Sequence, residues 1–432
     1  MKVTLICPEW KNRGLTTVPF FRFPPQALFQ LAALTPLEWD VVLVDANDTP
    51  IDFDAPTDCV GITAMTALAP GAYKIAAEYR RRGVPTIMGG IHASFLPDEA
   101  AQHVDCVVTG EADLLWPHIL HDVCRRQLRS RYDAEFPRTL DFPIQRHIST
   151  ARKLRFGPLL SRKFGYLQAM RGCPVGCGFC SVTKFNGAAI RKTNIDTLLE
   201  YIEWEKSNGV QYFVFVDDNI IAHRGYAEML FKALESVHIQ WVSQTDIRIA
   251  GEEILPQALR SGLAACFLGL ESITPDVLSK DVGRAKEKWA VHYASGIRRL
   301  RENGVIVEGS FIFGLEGEDR DVVTRTIDWA KEQGIDLAQF SVLTPLPGTE
   351  LFQQLLNEGR ILTTDWSRYN TFQCCFQPRD GRTPKQLERH VQEAYASFYE
   401  IGSIVRRLNP RQWPTVFAAS LVTNLAFRRF RA

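Results

Sequence analysis

The sequence has almost no excess of either charge. Its 50 Lys and Arg stand against 49 Asp and Glu, a formal +1 over 432 residues, so no broad field favours nucleic acid or an acidic partner. No run of about 18 apolar residues occurs, which excludes a simple membrane-spanning helix. The opening MKVTLICPEW lacks a basic stretch leading into a cleavable apolar segment, so a cytoplasmic protein is the expectation. Ten cysteines are present nonetheless. In a reducing compartment they are core thiols or metal ligands rather than disulfides. Hydrophobic residues at 46% supply ample core material, and the length suits two or three domains.

What is present is alternation. Apolar runs such as DVVLVD (40–45) and CVGIT (59–63) read as buried strands, with helical spacing at 25–34 and 68–82. Strand–helix alternation over residues 1–126 predicts a doubly wound, flavodoxin-like α/β domain with a parallel sheet. Ligands of such sheets sit beyond the carboxyl ends of the strands. Residues 127–163, irregular and proline-bearing, read as a linker. A second alternating series over 164–360 has six strand candidates, fewer than the eight of a complete barrel, and predicts a partial (β/α)6 barrel. Residues 361–432 read as a helical, partly basic extension.

The strongest local signal is RGCPVGCGFC (171–180), directly after the first strand of the second series. Cys173, Cys177 and Cys180 fall within eight residues, and thiolates are the ligands that iron–sulfur clusters demand. Gly172, Pro174, Gly176 and Gly178 let so short a loop wrap. A structural zinc site wants four ligands, usually as two paired half-sites, and no second CxxC occurs. Three cysteines leave one iron of a [4Fe–4S] cluster open to another ligand.

In these residues the sequence resembles the radical S-adenosylmethionine (SAM) superfamily, whose signature is CxxxCxxC after the first barrel strand. The resemblance extends through VFVDDN (214–219), WVSQTD (241–246), GLES (269–272), GSFIFG (309–314) and LTPLPGT (343–349). It implies that SAM chelates the open iron and that one electron from the cluster releases a 5′-deoxyadenosyl radical. It places Phe179 near the adenine, with Asp217, Asp218 and Asn219 where the SAM amino group is held. Gln244, Asp246, Glu271, Ser310 and Thr344 are further candidates at the barrel mouth. The plainer alternative for 217–219 is capping of the following helix.

The first domain resembles the cobalamin (B12)-binding domain that precedes many radical SAM barrels. CVGITAMT (59–66), GGIHASFLPDEA (89–100) and VVTGEAD (107–113) carry this likeness, and nominate Thr63, Thr66, Gly89, Gly90, His92, Gly110 and Glu111 for cobalamin. The cobalt-ligating DxHxxG loop of many such domains is replaced here by PEWKNRGL (8–15), which has no His. His92 reads equally as a turn residue.

The layout resembles that of hopanoid methylases and the anaerobic Mg-protoporphyrin ester cyclase. It implies cobalamin-dependent methyl transfer or rearrangement at an unactivated carbon of a small-molecule or lipid substrate. A flavodoxin- or ferredoxin-type protein would supply the electron. Two alternatives stand beside this. The adjacent Cys374 and Cys375 could hold a thiophilic centre such as trivalent arsenic, to which a methyl or aminocarboxypropyl group of SAM passes; otherwise they are core residues. A non-catalytic B12 or redox sensor is the other. The tail mixes Trp413, Val416, Phe417, Leu421, Leu425 and Phe427 with Arg428, Arg429 and Arg431, and suits either an interfacial helix or packing across the barrel.

Overall fold

A computed structural model describes residues 1–10, 25–137, 139–140 and 164–429. Much of the stretch read as a linker lies outside these residues, as do most of the PEWKNRGL loop and Arg431.

The first sheet has six parallel strands: β1 (Lys2–Cys7), β2 (Asp40–Asp45), β3 (Cys59–Thr63), β4 (Thr86–Gly89), β5 (Cys106–Thr109) and β6 (Arg131–Asp133). Their order, β2-β1-β3-β4-β5-β6, is the doubly wound one, with its switch point at β1/β3. Val3, Leu5, Val60, Ile62, Met88 and Val107 are buried on the sheet's two faces, as the unbroken apolar runs require. The short β6 begins inside the stretch that composition alone marks as irregular. It is read poorly because RYD lacks an apolar run and pairs only at the edge.

The second sheet is also fully parallel, in the order β14-β13-β12-β11-β10-β7. Its strands are β7 (Phe164–Leu167), β10 (Tyr212–Phe215), β11 (Gln240–Thr245), β12 (Leu263–Glu271), β13 (Ile306–Phe313) and β14 (Leu337–Val342). Six strands in sequence order make the open, partial barrel. Its outward side chains, among them Trp241, Leu268, Phe311 and Phe340, are buried under helices, while the alternate residues Glu308, Ser310, Gln339 and Ser341 face inward and stay half-buried. A two-residue hairpin, β8 (Met170–Arg171) with β9 (Arg191–Lys192), brackets the cysteine loop.

The C-terminal extension is helical, at Pro384–Phe398, Ile401–Arg407 and Pro414–Arg428. The first of these helices opens on a full capping box from Thr383 and Gln386. Among the described residues no helix is long and apolar enough to cross a membrane.

Candidate active site

The cysteine loop is fixed from below and from both sides. Asp217, fully buried after β10, accepts the amide hydrogens of Ala169 at 2.9 Å and Met170 at 2.5 Å. It thus holds the chain at the point where β7 passes into the loop, and burial raises its carboxyl to about 8. Cys173 N donates to Gly187 O at 3.3 Å, and Leu351 N reaches Gly178 O at 3.1 Å. Gly172 has φ +106°, and a Cβ there would lie 2.7 Å from Ala189 O, so the close turn requires glycine.

The three thiols are half-buried, and Phe179 packs beside them against the barrel core. Burial pushes Cys177 up to about 12 and Cys180 to about 11, so as free thiols they hold their protons and surrender them on binding metal. Among the described residues, the only His, Cys, Asp or Glu trio with ligand atoms within 4.8 Å of one another is His118, His121 and Asp122. At least one pair of the three cysteine sulfurs therefore stands more than 4.8 Å apart, wider than the thiolates of one zinc ion, which tetrahedral geometry puts about 3.8 Å apart. A four-iron cube accommodates that wider spacing.

Polar groups at the strand ends converge on the same mouth. Asp218 accepts from Asn186 Nδ2 at 3.2 Å. Asp246 takes a bidentate pair from Arg248 at 2.8 and 2.7 Å, and a third bond from Asn219 at 2.7 Å. The Arg248 guanidinium lies 4.1 Å over the Trp289 ring. Glu271 sits at a bulge ending β12 with φ +64°, a strained conformation for a glutamate. Lys286 Nζ, itself buried, meets its Oε1 at 3.2 Å and also donates to Gly269 O. Gln244 is exposed and Ser310 half-buried on the inward side, whereas Thr344 turns back to Val342 O. Lys286 escapes sequence reading because only the fold brings it to Glu271, whereas Arg248 stands two residues from Asp246 and meets it locally.

A cleft open to solvent lies between the carboxyl ends of the first sheet and the cysteine-loop side of the barrel. Thr63, Gly89, Gly90, Gly110 and Glu111 line one wall, and Gln168, Arg171, Phe185 and Asn186 the other. A Cβ on Gly90 would come within 2.9 Å of Thr63 Oγ1, so the floor is as low as a backbone allows. A large flat cofactor lying against backbone fits such a floor. Glu111 also ties the two walls of the cleft together. It is buried, accepts from Arg191 Nη1 and Nη2 at 2.5 Å each, and from Arg171 Nη1 at 2.6 Å.

Thr66 and His92 do not line the cleft. His92 is buried behind the loop, 2.8 Å from Tyr73 Oη and edge-on to Trp366. Trp366 Nε1 in turn donates to Glu99 at 2.8 Å. The packing of Cys374 and Cys375 does not favour the soft-metal reading. Cys374 packs into the barrel core and points to Phe376 O, while Cys375 joins Trp366 and Tyr369 and points to Arg368 O. Two neighbouring thiols committed to separate clusters are packing residues.

A doubly wound domain facing a half-open barrel, with three cysteines at the seam, defines an enzyme that works with two large cofactors at once. Residues 167–347 match the Radical SAM superfamily, and residues 12–120 match the B12 binding domain. Bacteriochlorophyllide d C-8(2)-methyltransferase of Chlorobaculum tepidum is 30% identical over 94% of this chain and 91% of its own. The hopanoid C-2 methylase of Rhodopseudomonas palustris is 27% identical over 79% of this chain and 66% of its own. The structure of the radical SAM methyltransferase TsrM from Kitasatospora setae shares the fold at a TM-score of 0.66 and 17% identity, covering 83% of this chain and 76% of that one. The chain belongs to the B12-binding radical SAM enzyme family. Its cofactors are a [4Fe–4S] cluster, SAM and cobalamin.

Proposed function

We propose that this enzyme transfers a methyl group to an unactivated carbon of a small molecule. One observation carries the reading: the cobalamin cleft and the cysteine loop share a wall, in which Arg171 is two residues from Cys173 and also lines the cleft. When bound, the cluster and SAM supply a hydrogen-abstracting 5′-deoxyadenosyl radical, and cobalamin supplies the methyl group. The chain's task is placement and exclusion of water.

In this reading Cys173, Cys177 and Cys180 hold the cluster. Phe179, Asp218, Gln244, Glu271 and Ser310 surround SAM, and Asp217 positions the loop without touching it. Thr63, Gly89, Gly90 and Gly110 form the cobalamin floor, with Thr66 and His92 supporting it from behind. The half-buried inward residues of β13 and β14 receive the substrate. An electron donor of flavodoxin or ferredoxin type completes the system in the cytoplasm.

The test is anaerobic reconstitution with iron, sulfide, cobalamin, SAM and a reductant. Formation of both 5′-deoxyadenosine and S-adenosylhomocysteine is expected. Cys177→Ala should lose cluster iron and lower 5′-deoxyadenosine by at least about a hundredfold, as removal of a metal ligand does. Protein loaded with iron and cobalamin that yields neither product would refute the assignment and favour a sensor. The substrate panel begins with tetrapyrroles, on the strength of the bacteriochlorophyllide relatives.

A further inference from the structure

We infer that the C-terminal extension docks the protein on an anionic membrane surface, through the outward apolar face of the helix Pro414–Arg428 and the arginines flanking it. This rests on the extension alone and is independent of the reaction proposed above.

The helix buries a largely polar face and exposes apolar side chains on the other. Its buried side carries Ser420, Thr423 and Asn424, together with Val416 and Phe427. Asn424 Nδ2 donates to Asp336 O at 3.1 Å, and Arg407 Nη2 donates to Asn424 Oδ1 at 3.3 Å. Just ahead of the helix, Gln412 Nε2 donates to Asp336 Oδ1 at 2.9 Å. Polar side chains therefore fasten the extension to the barrel beside the start of β14. Other apolar side chains are left outside: Trp413 is 68% exposed, Val422 50% and Leu425 45%. Ile401 and Val405 of the preceding helix are likewise exposed. A helix serving only to cover the barrel would be arranged the other way round.

The charge within this last segment has one sign. Residues 401–432 contain six arginines and no Asp, Glu or Lys, whereas the first 400 residues hold 44 Lys and Arg against 49 Asp and Glu. Arg407 is buried against backbone carbonyls. Arg406, Arg411, Arg428 and Arg429 are exposed, and none has a carboxylate partner among the described residues. Apolar side chains bounded by unpaired arginines match the interfacial helix that lies in the headgroup layer of anionic lipid. A second copy of the chain is a poor occupant, since it would set these arginines against their own kind. With Asp336 at the amino-terminal end of β14, the contact lies by the base of the barrel, away from the strand ends that form its mouth. It tethers the enzyme rather than feeding the site.

The test is co-sedimentation of the cofactor-loaded full chain with vesicles of phosphatidylglycerol and phosphatidylcholine in equal parts, against phosphatidylcholine alone. Binding to the anionic vesicles only is expected. Arg428→Gln and Arg429→Gln should each lower it about fivefold, and Val422→Asp with Leu425→Asp should abolish it. Absence of binding to anionic vesicles, or unchanged binding by these variants, would overturn the inference. So would a fall in mass by light scattering for Val422→Asp with Leu425→Asp, which would make the face a contact between copies.

Discussion

At the scale of single residues, the barrel interior contains a carboxyl group under tension with its surroundings. Burial raises Glu308 to about 8, against the one hydrogen bond from Gln339 that favours its charged form. Its unfolded value is about 4.3. A carboxyl raised on folding stabilises fully below the unfolded value and loses that contribution as pH rises through the folded one. Thermal stability should therefore fall between about pH 4 and pH 8, and Glu308→Gln should flatten that fall in melting curves taken across the range. Of the site residues, the three cysteines were legible because ligand type, count and spacing all lie within ten positions. Lys286 and Arg191 were not, since each gains meaning only from a carboxylate 15 or 80 residues away.

At the scale of elements, the strands were read well where apolar residues run unbroken, as in CVGIT and DVVLVD. The helices Pro275–Asp281 and Arg284–Ala290 are illegible in the sequence because each is a mere seven residues long, with too few turns to show a period. The turn into β12 shows how backbone geometry fixes an element's start. Gly262 has φ +99°, and a Cβ there would fall 1.8 Å from Ile239 O, an impossible approach. Gly262→Ala should cost about 2–4 kcal/mol in denaturant unfolding, from strain and displaced backbone together. Cys374→Ala and Cys375→Ala should each destabilise by about 1–2 kcal/mol, as loss of a small buried side chain does, while leaving SAM cleavage in place.

At the scale of the whole molecule, both sheets and their order follow from alternation, but the way they are joined does not. The joint depends on Glu111 meeting Arg171 and Arg191, and on Glu99 meeting Trp366. Glu111→Ala would strand two buried guanidinium groups. It should cost about 3–5 kcal/mol and split a single thermal transition into two. Gel filtration of the same variant should show cobalamin lost while cluster iron is kept.

Two clasps on one seam also bear on how the protein matures. A corrin is bulky, and in the proposed reading its seat lies between bodies already fastened to each other, so ready-folded apoprotein should load slowly, through the open flank of the cleft. Chains that meet cobalamin while still folding should fill quickly. The clasp that makes the seat durable thus makes the timing of the cofactor's arrival part of the biosynthesis of the enzyme.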